Sequence, residues 1–102
     1  MEEKRLVVFQ DKNIRRVWHN EEWYFSVVDV VEALTESPSP RQYWGVLKGR
    51  ESQLLTFCLQ LKLPATDGKY YETDCANTEA LFRIIQSIHS PKAEPFKQWL
   101  AK

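Results

Sequence analysis

Trp23-Tyr24-Phe25-Ser26-Val27-Val28-Asp29-Val30-Val31-Glu32-Ala33-Leu34 is the stretch from which the fold is read, because its hydrophobic period changes in the middle. Trp23-Tyr24-Phe25 is short and wholly aromatic, a composition that favours an extended strand. From Ser26 onward, Val27, Val30, Val31 and Leu34 recur at i, i+3, i+4 and i+7. That spacing gives one apolar helical stripe, with Asp29, Glu32 and Glu36 lying off it. Ser26 and Asp29 have the spacing of a capping box, with a hydroxyl and a carboxylate placed to pair with free N–H groups at a helix start. A strand that runs straight into a helix over 27–34 predicts an α+β domain.

Upstream, Leu6-Val7-Val8-Phe9 and Ile14-Arg15-Arg16-Val17-Trp18 are rich in β-branched and aromatic residues, and Gln10-Asp11-Lys12-Asn13 between them supplies turn chemistry. With the 23–25 strand they predict a three-stranded antiparallel meander. Downstream, Ser37-Pro38-Ser39-Pro40 stops the first helix and restarts another, with Ser39 as N-cap and Pro40 at its first position. The second helix is expected over Pro40 to Lys48, with Gly49 at its end. Phe57, Leu59, Leu61 and Leu63 alternate with Cys58, Gln60 and Lys62, which favours a strand in the otherwise mixed 51–63 region. Pro64 places that strand at an edge or ends it early. Asp67-Gly68 signals a type I′ hairpin turn returning through Lys69 to Thr73.

Asn77 or Thr78 caps the next helix, whose apolar face is Leu81, Ile84, Ile85 and Ile88. Ser90-Pro91 interrupts it, and a last helix uses Phe96, Trp99 and Leu100, with Pro95 near its start. No helix-ending signal precedes Lys102, so residues 1–102 are read as a single domain, the N-terminal fragment of a longer protein. The expected fold is α+β: a small antiparallel sheet, made of the meander and the later hairpin, with about four helices, including a helix-turn-helix-like pair at 26–50.

Composition excludes several classes. The chain has 43% hydrophobic residues, enough for one core in 102 residues. It shows no secretory signal and no run near the ~20 apolar residues of a membrane span. A soluble, cytoplasmic protein without membrane association is expected. Cys58 and Cys75 sit in apolar surroundings without zinc-site spacing, which reads as buried thiols rather than a disulfide. The formal net charge is zero, which argues against a strongly basic nucleic-acid binder. The charge is segregated, however: residues 4–16 hold Lys4, Arg5, Lys12, Arg15 and Arg16 against Asp11, whereas 17–37 hold Glu21, Glu22, Asp29, Glu32 and Glu36 with no Lys or Arg. Such blocks can steer a polyanion onto one face, although a solvated mixed surface also produces them.

Catalytic chemistry is not expected. His19 and His89 have no carboxylate or cysteine at ligand spacing, and Asp29 and Glu32 form an acidic pair on a polar helix face. Gly45, Gly49 and Gly68 fit no nucleotide-binding loop, so neither a metal nor a cofactor is anticipated. The second helix draws more interest. It carries Arg41, Gln42, Tyr43, Trp44, Lys48 and Arg50, types that clamp phosphates, read base edges or stack, and Arg41 and Gln42 fall in the first turn, where recognition helices touch bases. The competing reading puts Tyr43, Trp44 and Leu47 in the core with the charges merely solvated. Arg15 and Arg16 add a second basic patch, but they point to opposite faces of their strand, so at most one shares a surface with the second helix.

The 23–30 run with Ala33-Leu34 after it resembles the Bro-N domain of phage antirepressors and viral Bro proteins, with its aromatic strand and Asp-Val…Ala-Leu helix. Ser90-Pro91-Lys92-Ala93-Glu94-Pro95-Phe96-Lys97-Gln98-Trp99 is similar to that family's C-terminal Ser-x-x-x-Ala-x-x-Phe-x-x-Trp signature. Together these cover about residues 9 to 102. Leu61-Lys62-Leu63, Asp67-Gly68-Lys69, Thr73-Asp74 and Ile85-Gln86-Ser87-Ile88 resemble, more narrowly, the bacterial DNA-damage-inducible protein D branch. Thr78-Glu79-Ala80-Leu81-Phe82 departs from the Gly-Leu-Tyr usual before the penultimate helix, keeping only the apolar pair. The resemblance implies association with DNA or DNA-bound proteins, a variable C-terminal domain and no catalytic residue. The expected function is a DNA-binding regulatory module of prophage antirepressor or DNA-damage-response type, with phosphate or base contacts from Arg15, Arg16, Arg41, Gln42, Lys48 and Arg50. The alternative is a domain that binds a repressor or recombination protein through Trp18, Trp44 or Tyr71. Homodimerisation is compatible with both.

Overall fold

The computed structural model describes residues 5–101. Within them five strands, β1 (Leu6–Phe9), β2 (Lys12–His19), β3 (Glu22–Ser26), β4 (Leu59–Pro64) and β5 (Tyr70–Ala76), are combined with four α-helices, α1 (Val27–Thr35), α2 (Pro40–Arg50), α3 (Thr78–Gln86) and α4 (Ala93–Leu100). A 3-10 segment, Ser52–Phe57, links α2 to β4. The α+β expectation holds. The meander and the later hairpin join in one antiparallel sheet of order β1-β2-β3-β5-β4, because the end of β3 pairs with the end of β5 through Phe25–Ala76 and Ser26–Cys75.

The helices cover one face. Their apolar stripes, Val27, Val30, Val31 and Leu34 of α1 and Leu81, Ile84 and Ile85 of α3, meet Phe9, Ile14 and Phe25 of the sheet in one core, with Phe96 of α4 fully buried against Phe9. Burying each such aliphatic side chain contributes about 1.5–3 kcal/mol against the entropy of ordering it. Alternation along the strands sends Tyr24, Leu63 and Cys75 to the opposite face, where Val17 and Leu61 close a second, smaller cluster. Two strands separate β2 from β4 in the sheet, yet they pack on one another across this face. The sheet is therefore strongly curled.

Several boundaries differ from the sequence expectation. Gly49 does not end α2, which continues to Arg50 and is closed by the Glu51 N–H donating to the Leu47 carbonyl. Phe57 belongs to the 3-10 segment, so the strand begins only at Leu59. At the β4–β5 turn only Gly68 has a positive φ, 86°, with the Gly68 N–H donating to the Ala65 carbonyl. This is a three-residue loop with glycine in the left-handed position, not a type I′ turn. The turn with two positive φ angles lies instead between β2 and β3, at Asn20 (52°) and Glu21 (65°). A non-glycine residue there costs roughly 1 kcal/mol, which the flanking ladder must hold in place. Glu21→Gly should accordingly raise unfolding stability by about 1 kcal/mol, read as a higher urea midpoint at unchanged m-value.

Candidate nucleic-acid interface

Arg15 ties the helical pair to the sheet. Its backbone N–H and its Nε both donate to Asp29 Oδ2, at 2.9 and 2.8 Å, while Nη2 reaches Asp29 Oδ1 at 3.0 Å. Nη2 also donates to Ser26 Oγ at 3.3 Å, and Nη1 to the Pro64 carbonyl at 2.9 Å. One guanidinium thus joins β2, the first turn of α1 and the end of β4. Ser26 Oγ caps α1 as expected, accepting from the Asp29 N–H. The carboxylate half of the anticipated capping box is used differently, since Asp29 turns to Arg15. The hydrogen bond to Asp29 raises the Arg15 pKa further, outweighing partial burial. The pair is largely shielded, with 21% and 13% of the two side chains exposed. Arg15→Ala should cost on the order of 3 kcal/mol, because it strands a largely buried carboxylate. Arg15→Lys should recover little of this in urea denaturation, since an ammonium cannot reproduce the bidentate fork.

A second network sets how α2 lies on the sheet. Trp44 Nε1 donates to Asp74 Oδ2 at 2.7 Å and Lys48 Nζ to the same oxygen at 3.0 Å, while Gln60 Nε2 donates to Asp74 Oδ1. Asp74 is 8% exposed. Burial pushes its pKa up, but the hydrogen bonds from Trp44, Lys48 and Gln60 and the charge of Lys48 together hold it below the ordinary carboxylate range. A folded-state pKa below the unfolded one means the network stabilises above the unfolded value and is lost as pH falls through the folded one. Thermal unfolding followed from pH 6 downward should therefore show stability falling from about pH 4, and Asp74→Asn should lower Tm at pH 6 and flatten that acid limb.

With Trp44 and Leu47 buried, α2 presents Arg41, Gln42, Gly45, Val46, Gly49 and Arg50 to solvent. No acid occurs on the helix. Nothing lies within 4 Å of where a side chain on Gly45 or Gly49 would begin, so the outward face is open at both glycines, with Val46 exposed between them. Ser39 makes no side-chain cap, unlike the expectation, and the first turn of α2 carries no such bond at its N–H groups. A hollow lined by Arg15, Asp29, Glu32, Ser39, Arg41 and Gln42 joins this end of α2 to α1. A groove of about 480 Å³, lined by Pro38, Gln42, Tyr43, Val46, Leu47 and Arg50, follows its other flank.

The six predicted contact residues thus fall into three groups. Arg41, Gln42 and Arg50 are exposed on α2, with the Arg50 guanidinium 3.7 Å from the Glu51 carboxylate. Arg15 and Lys48 are engaged with Asp29 and Asp74. Arg16, on the opposite face from Arg15, stacks its guanidinium 3.8 Å from the centroid of the Trp23 ring. The role of Asp74 was missed in the sequence, where no local pattern relates residues 44, 48, 60 and 74. Trp44, one of the aromatics considered for a protein-contact patch, is 2% exposed and belongs to the core, whereas Trp18 and Tyr71 are about half exposed. Cys58 and Cys75 are free thiols whose pKa burial pushes up to about 11 and about 12. Among the described residues no group of His, Cys, Asp or Glu could hold a metal ion, and no helix is long and apolar enough to cross a membrane.

A curled antiparallel sheet carrying a strand-to-helix junction, and an outward helix pinned by a buried acid, define an α+β scaffold that displays one basic helix face. The chain belongs to the BRO family: the model of the BRO family N-terminal domain, Bro-N, matches residues 13–102. No curated protein and no solved structure matches it.

Proposed function

We propose that this domain is a DNA-binding regulatory module of antirepressor type, in which α2 is the recognition helix. The observation that carries this reading is the outward face of α2, where Arg41, Gln42 and Arg50 are exposed around the open positions Gly45 and Gly49 on a helix without acids. Arg and Gln are the side chains that bond purine edges bidentately. Exposed glycine costs about 1 kcal/mol in a helix relative to alanine, and its benefit here is close approach of a large partner. Membership in the BRO family, whose N-terminal domain is regulatory and non-catalytic, supports the same reading. The narrower likeness to the DNA-damage-inducible branch suggests a bacterial stress setting, and a cytoplasmic location would follow from it.

Arg15 and Lys48 serve this site from behind, holding α1 and α2 in place, rather than as phosphate clamps. In fluorescence anisotropy with labelled duplex, affinity should fall steeply between low and moderate salt. Arg41→Ala and Gln42→Ala should each weaken binding about tenfold or more and reduce discrimination between duplex sequences, whereas Lys97→Ala should leave both unchanged. Absence of binding at low salt would falsify the reading. The groove beside α2, where Val46 is 61% exposed, favours a second reading, a repressor or recombination protein docked on the same helix. Nuclease-resistant copurification that Val46→Glu abolishes would support it.

A further inference from the structure

We propose that the open edge of β1 pairs antiparallel with β1 of a second copy of this chain, joining the two sheets about a two-fold axis at Val7. The ladder shows which main-chain groups are available. The Arg16 N–H donates to the Arg5 carbonyl, which makes Arg5–Arg16 a hydrogen-bonded pair, and the register Leu6–Arg15, Val7–Ile14, Val8–Asn13 and Phe9–Lys12 continues from it. Hydrogen-bonded pairs alternate along an antiparallel ladder, so the N–H and C=O groups of Val7 and Phe9 face β2, whereas those of Leu6 and Val8 point away from it. The Arg15 N–H, opposite Leu6, agrees with that phase by donating to Asp29 rather than to β1. β1 is the last strand on its side of the sheet, and among the described residues no hydrogen bond reaches the Leu6 or Val8 main chain from beyond it.

The two edges of the sheet differ in kind. β4 carries Lys62 and ends in Pro64, residue types that protect an edge, and Arg15 bonds the Pro64 carbonyl. β1 is Leu6-Val7-Val8-Phe9, without charge or proline, and leaves Leu6 and Val8 49% and 52% exposed. Self-pairing accounts for both the apolar surface and the unused backbone. With Leu6 opposite the partner's Val8 and Val8 opposite the partner's Leu6, four main-chain hydrogen bonds form and the apolar side chains make two cross-strand pairs. Charge fixes the direction. Arg5 precedes the strand and Asp11 lies in the turn after it; both are exposed, and neither has an ion-pair partner among the described residues. Antiparallel pairing sets each Arg5 opposite the partner's Phe9, within a side chain's reach of the partner's Asp11, so an unlike-charge contact closes each end. Parallel pairing would instead oppose like to like. Four residues a side bury less than the roughly 1,600 Å² of a standard interface, so the dimer is weak and its population follows concentration. The pairing uses no residue of α2 and is independent of what that helix binds.

Sedimentation velocity on the whole chain should show monomer passing to dimer between about 1 μM and about 1 mM. Val8→Lys puts a charge on the paired edge and should weaken the dimer about tenfold or more. It should keep the parental Tm, since Val8 is exposed. The register is read by oxidising variants with one added cysteine, the parental Cys58 and Cys75 serving as the blank. Val7→Cys puts two thiols in a non-hydrogen-bonded pair on the axis, with Cα atoms about 4.5 Å apart, and should cross-link. Val8→Cys leaves its two copies offset by two residues, beyond the ~7 Å limit for a disulfide, and should not. A chain that stays monomeric at about 1 mM overturns the proposal, as does a dimer that Val8→Lys leaves at parental affinity. Should Val8→Lys lower Tm, the cysteine variants decide: cross-linking through Val7→Cys alone upholds the axis at Val7, and equal or absent cross-linking overturns it.

Discussion

The Arg15–Asp29 pair is the constraint on which the rest of this domain depends. Its Nε and Nη2 hold both oxygens of a carboxylate in the first turn of α1, and its Nη1 holds the last carbonyl of β4. Three elements far apart in sequence are thereby fixed within one side chain's reach. Because α1 follows β3 without a linker, fixing its first turn fixes how the helix leaves the sheet. A point charge on a flexible stem could not do this, since the planar fork supplies direction as well as attraction.

The Asp74 network makes the complementary adjustment. Trp44 and Lys48 are one helical turn apart on α2, and both converge on a single oxygen of β5. With that face fixed inward, Arg41, Gln42, Gly45, Val46, Gly49 and Arg50 must face outward. The buried acid thereby chooses which residues of α2 face solvent. Burying a carboxylate is costly, and three donors with no unsatisfied buried side-chain atom nearby make it tolerable.

The sequence pattern was legible wherever one local period or one cap decided the outcome. Val27, Val30, Val31 and Leu34 gave α1, Leu81, Ile84, Ile85 and Ile88 gave the α3 face, and Asn77 accepts from the Ala80 N–H as a cap should. Turn types were less legible. Asp67-Gly68 has the composition of a type I′ turn but a three-residue loop, while Asn20-Glu21 has two positive φ angles without a glycine. Strand register decided both, since the ladder on either side fixes how many residues the turn must span. Gly49 likewise looked terminal, yet packing of Leu47 and pairing of Lys48 carried α2 past it.

Of the candidate site, sequence alone determined the chemistry of α2: a basic, acid-free helix opening on Arg41 and Gln42, in a chain whose motifs place it in the BRO family. It also determined that Arg15 and Arg16 diverge, because a strand alternates. Tertiary structure decided which of these cations remain available. Arg15 and Lys48 are taken by Asp29 and Asp74, 14 and 26 residues away. Periodicity reports only a residue's own element, whereas ion pairing and shared surfaces depend on how separate elements pack.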